Sequence, residues 1–225
     1  MIKNDNSFFV SGTDTGICKT VVSAVLASKL DGIYWKPIQC GLDKKGRRDI
    51  DVIKEITKKK VRTFKELYFF NEPISPNLAA KNVNTKIDIK KICSPNLVLD
   101  CPIIIEGAGG LLVPINKNYF IIDLVKKISL PLILVTSTKL GTINHTLLSL
   151  EALKKRKIKL KGIVFVGQQK DDVINTIIES SKKIYGFLNK NINLGCLPIE
   201  KTVDFNTVKK FKDLMNETDP TIPRF

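Results

Sequence analysis

The amino-acid sequence predicts an α/β fold, one domain with a mostly parallel central sheet flanked by helices. Three observations carry this. Short apolar runs of β type alternate with helix-periodic segments, the pattern of strands joined by crossover helices. The first apolar run passes into a loop of small residues that ends in Lys19-Thr20 and opens a helix. The chain has 225 residues and 43% hydrophobic content, enough to fill one large α/β core.

The strands are expected at Phe8–Val10, Gly32–Trp35, Ile103–Ile105, Leu132–Val135, Gly162–Val166 and Ile192–Gly195, each a short run rich in aromatic or branched residues. The helices are expected at Lys19–Leu30, Asp51–Lys59, Ile121–Lys127, Ile143–Lys155, Asp172–Leu188 and Val203–Met215. Between Lys60 and Leu97, Pro73, Pro76 and Pro95 interrupt any regular pattern. No internal repeat or low-complexity linker divides the chain, so residues 1–225 read as a single domain.

Composition excludes several classes. No stretch approaches the roughly 20 apolar residues of a membrane span, and the start, MIKNDNS, has no apolar signal region. A cytoplasmic protein without a membrane partner is expected. The five cysteines, Cys18, Cys40, Cys93, Cys101 and Cys196, are odd in number and scattered, which argues against a disulfide framework and against zinc. The net charge of +15 comes almost entirely from lysine, spread in short runs such as Lys58-Lys59-Lys60. Spread in this way, it reads as solvated helix faces, and no nucleic-acid partner is expected.

The segment FFVSGTDTGICKT, Phe8 to Thr20, is nearly the phosphate-binding loop G-x-x-x-x-G-K-[ST] in its strand–loop–helix context. Backbone N–H groups of such a loop wrap a phosphate, and the helix start adds its positive end. Lys19 can reach the outer phosphates and Thr20 can ligate Mg²⁺. Cys18 stands where glycine is expected. A positive φ there would strain a non-glycine residue. A negative φ would make the thiol harmless.

In open α/β sheets ligands bind beyond the C-terminal strand ends. Lys36 follows one expected strand and Glu106 another, the latter running into the glycine-rich stretch Gly107-Ala108-Gly109-Gly110. A carboxylate at such a place is the usual second metal ligand of nucleotide enzymes. Asp51, near a helix start, is either a first-turn acid or a further acid on Mg²⁺, and Asp49 competes for both roles. Ser137 to Thr146 open another helix. His145, the only histidine, has no nucleophile to pair with and reads as structural or interfacial.

Taken in order, GTDTGICKT, WKPIQCG, the downstream Asp51, IEGAGGLLVP and KLGTINH resemble dethiobiotin synthetases over roughly residues 7 to 165. The resemblance implies a P-loop NTPase fold and an ATP- and Mg²⁺-dependent ligase of biotin synthesis. Its substrates would be ATP, CO₂ or bicarbonate, and 7,8-diaminononanoate, which closes to dethiobiotin through a carbamate and its mixed anhydride with phosphate. Lys19 and Lys36 would be the catalytic cations. Thr20, Asp51 and Glu106 would hold Mg²⁺. Thr15, Gly16, Ile17, Cys18, Lys19 and Thr20 would wrap the nucleotide, with Gly107, Ala108 and Gly109 beside it and Pro198, Ile199 and Glu200 at its base. Cys40, Gly110 and Leu111 would line the substrate. The family is a homodimer, which puts Leu140, Gly141 and Asn144 in the partner's site. Val166 and Gly167 stand where family members often carry an asparagine that reads adenine. Cys18, at a helix start that favours thiolate, and Cys40 would make activity sensitive to thiol reagents. The alternative is a regulatory ATPase of the partitioning or septum-site type. Asp14 stands where those proteins carry a signature lysine.

Overall fold

A computed structural model of the chain describes residues 6–93, 99–186 and 191–215. Along the sequence run β1 (Phe8–Gly12), α1 (Lys19–Lys29), β2 (Ile33–Trp35), β3 (Ile38–Cys40), α2 (Asp49–Ile56), β4 (Arg62–Phe64), β5 (Tyr68–Phe70), α3 (Pro76–Asn82) and α4 (Ile89–Cys93). Then come β6 (Ile103–Gly110), α5 (Ile121–Ile128), β7 (Leu132–Ser137), α6 (Thr142–Lys155), β8 (Leu160–Val166), α7 (Asp171–Tyr185), β9 (Asn193–Leu197) and α8 (Phe205–Leu214).

Seven strands form one sheet in the order β4-β2-β6-β1-β7-β8-β9, and β3 pairs with β5 in a small second sheet. All of these strand pairs are parallel. The expected α/β architecture is therefore present. β1 lies between β6 and β7, so successive crossovers leave it in opposite directions, and a crevice opens beyond its C-terminal end.

Period-two alternation in the strands builds two cores. Phe8 and Val10 of β1, Ile104 of β6, and Ile133 and Val135 of β7 pack with α1, α2 and α8 through residues such as Leu26, Ile53 and Phe211. Phe9, Ile103, Ile105, Leu132 and Leu134 face the other way, against α5, α6 and α7 through Leu124, Leu150 and Ile177. Both faces are covered, which is why these strands read as continuous apolar runs rather than as alternating ones.

The structure departs from the expected elements in three places. β6 continues through Glu106 to Gly110, so the glycine-rich stretch is strand rather than loop. Parallel pairing with β1 continues to the Gly12–Gly110 contact and extends it. β3, β4, β5 and the short helices α3 and α4 lie between Ile38 and Cys93. Each is too short to carry a periodic signal and is held by tertiary contacts, such as the Leu67 and Tyr68 N–H groups on the Pro37 carbonyl. α2 starts at Asp49, two residues before the expected start. The expected end of the seventh helix, at Leu188, lies outside the described residues. No described helix is long and apolar enough to cross a membrane.

Candidate active site

The loop from Thr13 to Cys18 leaves β1 at the crevice and turns into α1. The Lys19 ammonium spans it, donating to the Asp14 carbonyl at 2.7 Å. Gly16 has φ +64°, a left-handed conformation that suits glycine. Cys18 caps α1 with φ 62° and ψ 31°, also left-handed, and makes no side-chain cap hydrogen bond. The position thus demands the geometry glycine supplies, and the cysteine is strained there by roughly 1–2 kcal/mol.

Beside the loop, charged and hydroxyl side chains from four elements converge. The Lys36 ammonium, just past β2, donates to Glu106 Oε1 of β6 at 3.1 Å and to Asp49 Oδ2 at the first turn of α2. The Thr20 hydroxyl of α1 lies 3.1 Å from the same two carboxylate oxygens. The second Glu106 oxygen, Oε2, accepts the Tyr34 hydroxyl at 3.0 Å. Glu106 and Tyr34 are buried, and Lys36 is nearly so. Burial acts to lower the Lys36 pKa, but the Glu106 and Asp49 carboxylates outweigh it and hold the ammonium above its ordinary value. Burial acts to raise the Asp49 carboxyl, but Lys36 together with hydrogen bonds from Thr20 and Gln39 outweighs it and holds the group below its usual range. Both therefore stay ionised across neutral pH. Lys19 has its pKa lowered by burial and by the nearby Lys36, against the pull of Glu106.

Of the two competing acids it is Asp49, rather than the Asp51 that the resemblance implies, that meets Lys36 and Thr20. The Asp51 carboxylate turns back on its own helix start, accepting the Arg48 N–H at 3.1 Å and its guanidinium at 3.0 Å. Two residues along a helix are about 200° apart, so Asp49 and Asp51 point in different directions. Arg48 also pairs at 3.3 Å with Glu66, whose side chain is 2% exposed.

A cavity of about 490 Å³ holds this corner together with Thr15, Gly16, Ile17, Cys18, Cys40 and Gly109. A second, of about 510 Å³, is lined by Thr15, Gly110, Leu111, Leu112, His145 and Leu148. A third, of about 220 Å³, brings Leu140, Val166 and Ile199 to the loop. Thr15 lines all three and links them. Ala108 lies with Thr15, Lys36 and Cys40 along a further cleft. Gly107 does not face the ligand side, since a Cβ there would meet the Phe9 ring at 3.0 Å in the core. Gly141, Asn144, Pro198 and Glu200 line none of these cavities, and Glu200 pairs with Lys210 at 3.7 Å. Sequence reasoning passed over two further residues of this region, Tyr34 and Gln39. Each looks like ordinary strand filling until the fold turns its polar end toward the cluster.

A family model described as AAA domain matches residues 6–207. ATP-dependent dethiobiotin synthetase BioD of Rhodopseudomonas palustris (strain BisA53) is 41% identical over 211 residues, 93% of this chain and 94% of its own. The chain belongs to the dethiobiotin synthetase family. The protein of the same name from Lawsonia intracellularis (strain PHE/MN1-00) is 44% identical over 170 residues, 76% of this chain and 80% of its own. Among solved structures, the MinC:MinD cell division protein complex of Aquifex aeolicus superposes with a TM-score of 0.51 at 12% identity, covering 91% of this chain and 85% of that one. That likeness is one of fold.

Within this dethiobiotin synthetase framework Cys18 is not the thiolate expected at a helix start, and Cys40 is a weak acid too. Burial pushes the Cys18 thiol up and outweighs the pull of Lys139 and Lys19. Burial raises Cys40 to about 11, against the pull of Lys36. Alkylation proceeds through the thiolate, so Cys40 should react far more slowly than a free cysteine at pH 7.5, and its rate should climb about tenfold per pH unit between pH 7 and 9. Mass-spectrometric labelling at pH 7.5 that keeps pace with a free thiol would contradict this. Replacing Cys18 with glycine should relieve the left-handed strain and raise the melting temperature by about 2–4 °C. An unchanged or lower value in a thermal melt would show that the loop carries no such strain.

Proposed function

We propose that this protein is an ATP- and Mg²⁺-dependent ligase that closes 7,8-diaminononanoate and CO₂ into dethiobiotin, the whole chain working as one domain in a cytoplasmic homodimer. The observation that carries the reading is the corner where Lys36 joins Asp49 and Glu106 beside Thr20, at the end of the phosphate loop.

The reaction needs no covalent nucleophile. One amine adds to CO₂ and loses a proton, giving a carbamate. A carbamate oxygen attacks the γ-phosphorus of ATP, and ADP leaves. The second amine attacks the carbamoyl carbon, inorganic phosphate leaves, and the cyclic urea closes. Each step moves negative charge between oxygens, so catalysis is a matter of positioning and charge stabilisation. Lys19, spanning the loop, is set to follow the phosphoryl group, and its lowered pKa leaves a weakly compensated ammonium that gains from an arriving anion. Lys36 remains charged and would stabilise the carbamate and the γ-phosphate where they meet.

The donor set also suits Mg²⁺. Two carboxylates and a hydroxyl within about one hydrogen bond of each other are hard oxygen donors, and Mg²⁺ takes few such ligands plus phosphates and water. Thr20, Asp49 and Glu106 would hold it, and it would neutralise the charge on the phosphate oxygens. Leu140 is fully exposed, and Leu112 and Leu148 are more than half exposed around the second cavity. Covering them with a second copy would remove apolar area from water and bring Leu140, Gly141 and Asn144 toward the partner's substrate carboxylate. Val166 and Ile199, both apolar, border the third cavity, where the nucleotide base would lie.

Phosphate release with ATP, Mg²⁺ and bicarbonate should appear only when the diamine is added, with dethiobiotin seen by mass spectrometry. Release that ignores the diamine would refute the assignment. In the same assay Asp49→Asn should lower kcat/KM by at least about 100-fold, whereas Asp51→Asn should change it less than about threefold, since its carboxylate serves the helix start. The reverse ranking would return the metal role to Asp51.

A further inference from the structure

We propose that Gln39 is a positioning residue for the charged corner, a role that rests on the reaction assigned above: its carboxamide sets where Asp49 stands by tying the start of its helix to the cavity wall at Gly41. Gln39 lies on β3 and is 3% exposed, yet it borders the same cavity as Lys36 and Glu106. Its Oε1 accepts the backbone N–H of Asp49 at 3.3 Å, and its Nε2 donates to the Gly41 carbonyl at 2.8 Å.

Both contacts answer a local need. Asp49 is the first residue of α2, and the N–H groups of a first helical turn have no acceptor within the helix. Gln39 supplies that acceptor from a different element. Gly41 opens the loop that leads to α2 with φ +77°, and a Cβ there would lie 2.7 Å from the Pro73 Cβ, so the loop leaves β3 in a tightly packed place. The loop closes on itself through the Asp43 N–H on the Arg47 carbonyl and the Arg47–Asp43 ion pair at 2.6 Å. It is thus a compact unit whose two ends meet on one carboxamide.

The residue type fits this place. A carboxamide offers a donor and an acceptor without charge. A carboxylate would keep the acceptor but would repel Asp49 and could not donate to Gly41. A thioether would do neither. A shift of the helix start would carry the Asp49 carboxylate away from both Thr20 and Lys36.

The test is a double-mutant cycle of Gln39→Met and Asp49→Glu, with dethiobiotin read by mass spectrometry. Alone, Gln39→Met should lower kcat about tenfold and leave KM for the diamine within about twofold, with an unchanged fold by circular dichroism. With Asp49→Glu, whose carboxylate is already displaced, the same change should cost less than about threefold. An unchanged kcat, or the full loss in both backgrounds, would overturn the role. Gln39→Asn keeps both polar groups one methylene short. It should show the same split and serves if the Met variant does not fold. Should the wild-type protein form no dethiobiotin, the assigned reaction fails by itself. Gln39 is then judged by calorimetry of ATP: Gln39→Met should weaken binding with Mg²⁺ present and leave it unchanged without Mg²⁺. Equal binding by the variant and wild type under both conditions would overturn the inference.

Discussion

The Lys36 ammonium, enclosed between Asp49 and Glu106, is the interaction on which the rest of the molecule depends. Three charges drawn out of water are costly unless each is paired. The pairing here comes from the end of β2, the start of α2 and the middle of β6, with Thr20 of α1 touching the same oxygens. Four elements distant in sequence must therefore reach their places together before any one charge is satisfied. Packing and chemistry are the same arrangement viewed from two sides: the sheet that buries Ile103 to Ile105 also delivers Glu106.

Around that corner the phosphate loop is under tension. Lys19 binds the loop's own Asp14 carbonyl, and Cys18 occupies a left-handed turn without glycine's freedom. Strain at such a place persists because the surroundings over-determine it. Here β1 is clamped between β6 and β7, and α1 is sunk into the apolar layer through Val22, Val25 and Leu26. The loop between them has little room to relax.

Family and fold act at different levels. The general architecture is shared with a cell division protein complex at 12% identity, so the sheet and its crevice carry no particular chemistry. What separates this chain is local: Lys36 beyond β2, Asp49 at a helix start, Glu106 within β6, and the apolar surroundings of the second cavity. These features lie within the stretch that matches a dethiobiotin synthetase at 41% identity over 93% of this chain.

The class of fold and the phosphate loop were legible in the amino-acid order alone, because both are written in local runs of residues. Apolar strand runs and helix periods are written in neighbouring residues, and a loop between β1 and α1 is contiguous. The same order also marked Lys36 and Glu106, each placed directly after a run of apolar strand residues. The choice between Asp49 and Asp51 was decided only by tertiary structure. Both acids suit a first helical turn, and a shift of two residues in the helix start determines which one faces Thr20. The conformation of Cys18 was likewise open, since a side chain's identity does not set φ when neighbouring strands dictate the turn. β3 and β5 stayed invisible because they lie among prolines that break any pattern and are held by pairing with each other. With them stayed hidden Gln39, whose two hydrogen bonds join residues that only the folded chain brings together.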